Sequence, residues 1–235
     1  MKVVITEKYN QGEVVANSIM DSPNKQKQNG EPLWMGQAEG EMVFVVPLSG
    51  QIFDLTNVEA RSGYPDFPEL EWVTKPRFKK KVDLLKDLLS KADEVVIGSD
   101  YDREGELIGT LAVLIPMWGS EDYQNIHDWD TTVTRMEYSA MVEHEIAEAW
   151  DDRGDPDEDL FMMGMARARI DFRVGINLSK GLSQCLLRAR GEYKTLSAGR
   201  VQTPTLKIVH DRCKKRNDFK SKTYWTPQIE INTKT

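Results

Sequence analysis

The stretch Gly98-Ser99-Asp100-Tyr101-Asp102-Arg103-Glu104-Gly105-Glu106 follows the β-rich run Glu94-Val95-Val96-Ile97 directly. It runs straight into an apolar helical pattern, Leu107, Ile108, Leu111, Leu114 and Ile115. A short apolar run, a Gly-containing turn and a helical periodicity in succession read as strand, loop and helix. Four carboxylates fall within seven residues at the point where the strand hands over to the helix. Such crowding is electrostatically costly unless a cation relieves it, and hard divalent ions such as Mg2+ take carboxylate oxygens while keeping several waters. Asp100 and Asp102, two apart in extended chain, are expected to project to one side, with Glu104 turning back from the start of the helix. Three oxygen donors would then converge on one ion. The competing reading is an acidic helix N-terminus, favoured by the macrodipole and left solvated.

A second strand-to-helix handover lies at the start of the chain. Val3-Val4-Ile5-Thr6 is followed at once by Glu7-Lys8 and then by a weakly amphipathic segment with Val15, Ala16, Ile19 and Met20 on one side. In an open α/β sheet, ligands bind at the carboxyl ends of the strands, so Glu7 is expected to meet the acidic stretch at one sheet edge. Glu7 is a candidate acid or base and Lys8 a candidate phosphate contact. Further strand-like runs at 42–46 and 133–138 alternate with helical patterns, one carrying Val82, Leu85, Leu88 and Leu89 and another following Ser139, a candidate N-cap, with Val142, Ile146 and Ala147. This alternation marks an α/β domain with a mostly parallel sheet. Pro65, Pro68 and Pro76 predict a surface excursion over about 57–78.

Beyond the charged, turn-rich segment 151–159 the pattern becomes helical, with helices expected over 160–176, around 178–187 and over about 199–215. Met162, Met163 and Met165 read as core filler. Residues 224–231 alternate like the first strand of a further β domain. The expected division is a metal-binding α/β domain over 1–150, a helical segment over 151–222 and a first strand of an incomplete β domain over 223–235.

The 235-residue chain has a formal net charge of −7, but the mean hides a split. From Phe161 to Lys222 there are 15 Lys and Arg against 4 Asp and Glu, whereas residues 1–160 are strongly acidic. An acidic lobe is joined to a basic one, and a basic lobe suits a polyphosphate partner because Lys and Arg release counterions when they neutralise phosphates. No run of about 18 apolar residues and no signal-peptide core is present, so a soluble, cytoplasmic protein with no membrane partner is expected. Cys185 and Cys213 lack CxxC spacing and His127, His144 and His210 lack metal-like spacing, which argues against a zinc site or a disulfide.

The strand-terminal Glu7 together with Asp100-x-Asp102-x-Glu104 resembles the Toprim domain of topoisomerases, primases and some nucleases. Two downstream stretches narrow the resemblance. Ser197-Ala198-Gly199-Arg200-Val201-Gln202-Thr203-Pro204-Thr205-Leu206 is similar to the signature of type IA DNA topoisomerases. The run Ala166-Arg167-Ala168-Arg169-Ile170-Asp171-Phe172-Arg173-Val174-Gly175-Ile176-Asn177-Leu178-Ser179 is similar to the archaeal and topoisomerase III-like branches. The resemblance implies an enzyme that cleaves and rejoins single-stranded DNA through a 5′-phosphotyrosine link with Mg2+. It further implies that Glu7 is the general acid or base, that Lys8 contacts the scissile phosphate, and that Asp100, Asp102 and Glu104 form the metal cluster. Arg167, Ser197, Gly199, Arg200 and Gln202 would lie on the path of single-stranded DNA, with glycine at 199 letting the backbone approach the sugar-phosphate closely.

Two departures stand out. After Glu7-Lys8 many relatives continue Pro-Ser, whereas this chain has Tyr9-Asn10. None of Tyr9, Tyr64, Tyr101, Tyr123, Tyr138, Tyr193 or Tyr224 lies in the family's nucleophile context. The expectation is therefore an N-terminal portion of the enzyme, a monomer that binds metal and single-stranded DNA but does not cleave, and whose partner is the remainder of the chain bearing the tyrosine. A Toprim nuclease and a non-catalytic nucleic-acid-binding protein are the alternatives. The nuclease has no use for the stretch 197–206.

Overall fold

The computed structural model describes residues 1–58 and 65–231. In chain order it forms β1 (Lys2–Thr6), α1 (Tyr9–Ile19), β2 (Asp21–Gln28), β3 (Glu31–Ala38), β4 (Glu41–Pro47), β5 (Phe53–Asn57), β6 (Leu70–Thr74), α2 (Lys79–Leu89), β7 (Glu94–Ile97) and α3 (Arg103–Trp118). There follow α4 (Gln124–His127), β8 (Thr132–Arg135), α5 (Glu143–Asp151), α6 (Glu158–Arg190) and α7 (Gln202–Asn217). Two compact units result, Met1–Arg173 and Val174–Thr235. The expected boundary at 150 falls at the end of α5, and the first compact unit reaches well into α6.

The first unit is built on a six-stranded sheet of order β2-β3-β4-β1-β7-β8. β1 pairs in parallel with both β4 and β7, β7 pairs in parallel with β8, and the β2–β3 hairpin adds antiparallel strands at one edge. The fold is thus mixed α/β with a mostly parallel sheet. β1 is buried along its whole length because helices cover both faces, which is why its sequence is a continuous apolar run and not an alternating one. Val3, Ile5, Val95 and Ile97 pack with Leu85 and Leu89 of α2 and Leu111 of α3. Val4 and Val96 point the other way, into Val15 and Ala16 of α1 and Ile146 and Trp150 of α5.

Several expectations are corrected. The β2–β3 hairpin was not foreseen, because the strand Asp21–Gln28 (DSPNKQKQ) is an exposed edge with no apolar pattern. The turn that closes it is legible, however: Asn29 and Gly30 both have positive φ, 55° and 84°, as a type I′ hairpin turn requires. The excursion predicted over 57–78 contains all of β6, while residues 59–64, with Tyr64 among them, lie outside the described residues. The two helices expected over 160–176 and 178–187 are one continuous helix, α6, so Asn177 does not break it.

The remaining corrections concern local signals. Ser139 does not cap α5, whose N-cap is Val142 without a side-chain bond. Met165 is buried, but Met162 and Met163 are exposed and fill no core. Residues 224–231 form no strand: Tyr224, Trp225, Ile229 and Ile231 are exposed, and an alternating stretch becomes a strand only when a neighbour takes up its backbone groups. The last residues of that expected strand, 232–235, lie outside the described ones. No helix among the described residues is long and apolar enough to cross a membrane.

Candidate functional site

β1 and β7 are adjacent and parallel, so their carboxyl ends deliver Glu7 and the loop 98–106 to the same sheet edge. The ladder continues one step past the strands, with Gly98 N–H donating to Ile5 O at 2.8 Å. Lys8 stands between the two segments. Its Nζ lies 3.0 Å from Glu7 Oε1 and 2.8 Å from Asp100 Oδ2. Glu7 is largely buried, whereas the Lys8 side chain is more than half exposed. Hydrogen bonds to Asp100 first and to Glu7 second hold the Lys8 ammonium well above its ordinary pKa, so it is charged throughout the physiological range.

The acidic loop is shaped mainly by its own backbone. Asp102 is the N-cap of α3, and its Oδ1 accepts from the N–H groups of Glu104 (2.9 Å) and Gly105 (2.7 Å). Ser99 Oγ donates to Gly105 O at 2.7 Å. Gly105 is required by close approach, since a Cβ there would lie 2.0 Å from the carbonyl oxygen of Asp100. Glu104 is exposed on the first turn of the helix.

Sequence reasoning missed the group that holds this loop from below. Arg135, the last residue of β8, is fully buried, and its Nε donates to Glu106 Oε2 at 2.6 Å. Its Nη1 donates to the carbonyls of Ile97 (3.1 Å), Ser99 (2.9 Å) and Met136 (2.6 Å), and its Nη2 to that of Asp100 (2.8 Å). A planar guanidinium with five donors suits such a fan of carbonyls where an ammonium would not. Glu106 in turn accepts from the N–H of Asp157 through Oε1 at 3.2 Å. Of the four carboxylates that looked crowded, then, Glu106 faces the interior and is matched by Arg135, and Asp100 is matched by Lys8.

This arrangement corrects the expected convergence. Among the described residues no three acidic, His or Cys side chains stand close enough together to enclose a metal ion. The physical reason is that Glu7, Asp100, Asp102 and Glu106 each have a donor in the chain, Lys8 for the first two, helix N–H groups for Asp102 and Arg135 for Glu106, while Glu104 is exposed on the first turn of α3. The donor chemistry nonetheless fits Mg2+. Asp100 is part-exposed, Asp102 commits Oδ1 alone to the helix cap, and Glu104 is open to solvent, while Mg2+ needs only one or two carboxylates and otherwise keeps water.

The other expected site residues lie in or near the second unit. Ser197, Ala198 and Gly199 form an irregular segment before α7, pinned to α6 because Ser179 Oγ bonds both the N–H (3.0 Å) and the carbonyl (3.1 Å) of Ala198. Ser183 Oγ, buried, accepts from Leu196 N–H at 2.9 Å. Ser197 and Gln202 are brought together, Oγ to Oε1 at 3.0 Å, and a Cβ at Gly199 would meet nothing within 4 Å. Arg200 is exposed at the turn into α7. Arg167, on the part of α6 that belongs to the first unit, lies 3.7 Å from Asp171 one turn on.

The family model of the Toprim domain matches residues 2–120, within the first unit, and that of DNA topoisomerase matches residues 155–235. The chain belongs to the type IA DNA topoisomerase family, whose Toprim domain it carries. It is 31% identical to DNA topoisomerase 1 of Methanothermobacter thermautotrophicus over 98% of this chain and 32% of that one. The same identity holds to DNA topoisomerase 1 of Pyrococcus furiosus, over 97% of this chain and 22% of that one. The full-length topoisomerase I of Thermotoga maritima superposes with a TM-score of 0.59 at 25% identity, over 92% of this chain and 31% of that one. The chain thus spans a third or less of the length of these relatives.

Proposed function

We propose that this chain is the metal-binding and single-stranded-DNA-binding part of an enzyme that cleaves and rejoins one DNA strand through a 5′-phosphotyrosine link. The observation that carries the reading is the ion-paired group of Glu7, Lys8 and Asp100 at the shared carboxyl end of β1 and β7, where an α/β sheet binds its ligands. Glu7, at the strand end, holds or takes the proton of the 3′-oxygen, and Lys8 donates to the scissile phosphate. Asp100, Asp102 and Glu104 hold Mg2+, which when bound stabilises negative charge on that phosphate.

Ser197, Gly199, Arg200 and Gln202 line the approach of the strand, and Arg167 adds positive charge. The names of the relatives support a DNA partner. The nucleophilic tyrosine comes from the remainder of the enzyme, because covalent catalysis needs a positioned nucleophile and no tyrosine of this chain has the family's context. The chain alone, a cytoplasmic monomer, neither cleaves nor relaxes DNA.

The test is to incubate the purified chain with negatively supercoiled plasmid and Mg2+, and in parallel to titrate it into a fluorescent single-stranded oligonucleotide. Binding without nicking is expected. Persistent Mg2+-dependent nicking that Asp102→Asn abolishes would replace this reading by a Toprim nuclease, in which metal-activated water is the nucleophile.

A further inference from the structure

We infer that Gln11 is a positioning residue for the site, one buried carboxamide that fixes Asp100 and the Glu7–Lys8 turn relative to each other; the inference rests on the reading of the site proposed above. Gln11 lies in the first turn of α1 and is fully buried. Its Oε1 accepts from the N–H of Glu7 at 2.8 Å and of Lys8 at 3.2 Å. Its Nε2 donates to Asp100 Oδ1 at 2.9 Å and to the hydroxyl of Tyr138 at 2.6 Å. The Tyr138 hydroxyl in turn donates to the carbonyl of Gly98 at 2.6 Å. A carboxamide has two lone pairs and two N–H hydrogens, and here all four are engaged.

The orientation of that amide is dictated by its partners. Two backbone N–H groups can only donate, so the oxygen must face Glu7 and Lys8, and the nitrogen must then face the Asp100 carboxylate. A flipped amide would set oxygen against oxygen at Asp100 and N–H against N–H at Glu7 and Lys8. The two oxygens of Asp100 are consequently held in unequal ways. Oδ2 is held by the exposed, flexible Lys8, and Oδ1 by the buried Gln11. When a phosphate draws Lys8 away or a cation displaces it from Asp100, the bond from Gln11 keeps Asp100 in place. Tyr138 acts on Gln11 itself, holding the amide against the loop backbone. Burial keeps this chain of bonds rigid and makes the loss of any member costly.

The test compares Gln11→Met and Tyr138→Phe with the wild-type chain by calorimetry with Mg2+ alone and by amide hydrogen exchange of the metal-free protein. Gln11→Met is expected to weaken Mg2+ binding about tenfold, the usual scale for removing a hydrogen-bond partner from a metal-ligating carboxylate. In an Asp100→Asn background it should cause no further loss. A residue that served only the fold would lower Mg2+ affinity equally in both backgrounds. In the metal-free protein, exchange should quicken at the amides of Asp102, Glu104 and Gly105 while β1 stays protected.

If Gln11→Met does not fold, Tyr138→Phe decides the matter, since it leaves the bonds to Glu7 and Lys8 intact and should move both readouts the same way by less. Folded variants with wild-type Mg2+ affinity and wild-type exchange in the loop would overturn the inference. If the wild-type chain binds no Mg2+ but the loop amides still loosen in Gln11→Met, the metal reading falls and the positioning role of Gln11 stands.

Discussion

Among the described residues of Met1–Arg173 several charges that shape the fold are out of water, whereas among those of Val174–Thr235 nearly every residue keeps some exposure. Arg135 and Glu106 are fully buried and joined at 2.6 Å, and Lys2 and Lys81 are buried as well. In the second unit Ser183 is the single buried residue among those described, and α7 buries none. Leu206, Ile208, Phe219 and Trp225 are exposed there, as are Lys214, Lys215 and Arg216. The difference separates two tasks. The first region supplies fixed geometry, in which donors and acceptors are placed by a sheet and a buried guanidinium. The second presents positive charge on helical surface, whose attraction for a polyanion would need little precision and would weaken as salt rises.

The largest effect expected from this contrast is on stability. Arg135→Met leaves Glu106 without its guanidinium partner in the interior and takes a donor from the carbonyls of Ile97, Ser99 and Asp100, of which Ile97 keeps the N–H of Met136 and Asp100 that of Asp102. Breaking a buried pair by removing one partner costs about 3–5 kcal/mol. Urea denaturation followed by tryptophan fluorescence should show that loss. The exposed pair Lys207–Asp211 on α7 offers the counterpart: Lys207→Ala should change stability by about 0.5 kcal/mol or less. Comparable losses in the two variants would erase the contrast.

The next effect is on DNA. Affinity for a single-stranded oligonucleotide should fall steeply as salt rises, and Arg200→Ala should weaken it by about threefold to tenfold, more than Lys215→Ala does. Anisotropy titrations at two salt concentrations check this. Equal losses from the two substitutions would mean a diffuse field without a defined path along 197–202.

The smallest effect concerns acid stability of the first unit. Burial opposes the ionisation of Glu94, but hydrogen bonds from Arg153, Lys2 and Thr134 outweigh it and bring its pKa down to about 2. A carboxyl whose folded pKa lies below its unfolded value of about 4.3 stabilises the fold above that value, and the stabilisation is lost as pH falls from about 4 towards 2. Glu94→Gln should therefore flatten the fall in stability across that window. An unchanged pH dependence would count against this ion-pair network.

The parts of the fold that sequence makes legible are those whose pattern is local. β1, β4 and β7 are runs of Val, Ile and Phe because both faces of a parallel strand are buried, and the apolar spacing of Leu85, Leu88 and Leu89 marks α2. β2 escapes because its residues face water, so neither face selects for apolar side chains; only the Asn29-Gly30 turn betrays it. The candidate site divides along the same line. Glu7, Lys8, Asp100, Asp102 and Glu104 are conspicuous by type and spacing. Gln11 and Arg135 are not, since what makes them matter is contact with a loop 89 and 35 residues away. Crowding of four carboxylates points to a cation such as Mg2+. It could not reveal that Arg135 answers one of them from inside and that Lys8 answers another at the surface.

The central claim is the proposal that Asp100, Asp102 and Glu104 of the loop after β7 hold a divalent cation. Titrating Mg2+ calorimetrically into the wild-type chain and into the Asp100→Asn/Asp102→Asn variant tests it most directly. The account predicts a saturable signal for the wild type that the double variant loses or weakens by about tenfold or more. Equal Mg2+ affinity in the two proteins would contradict it.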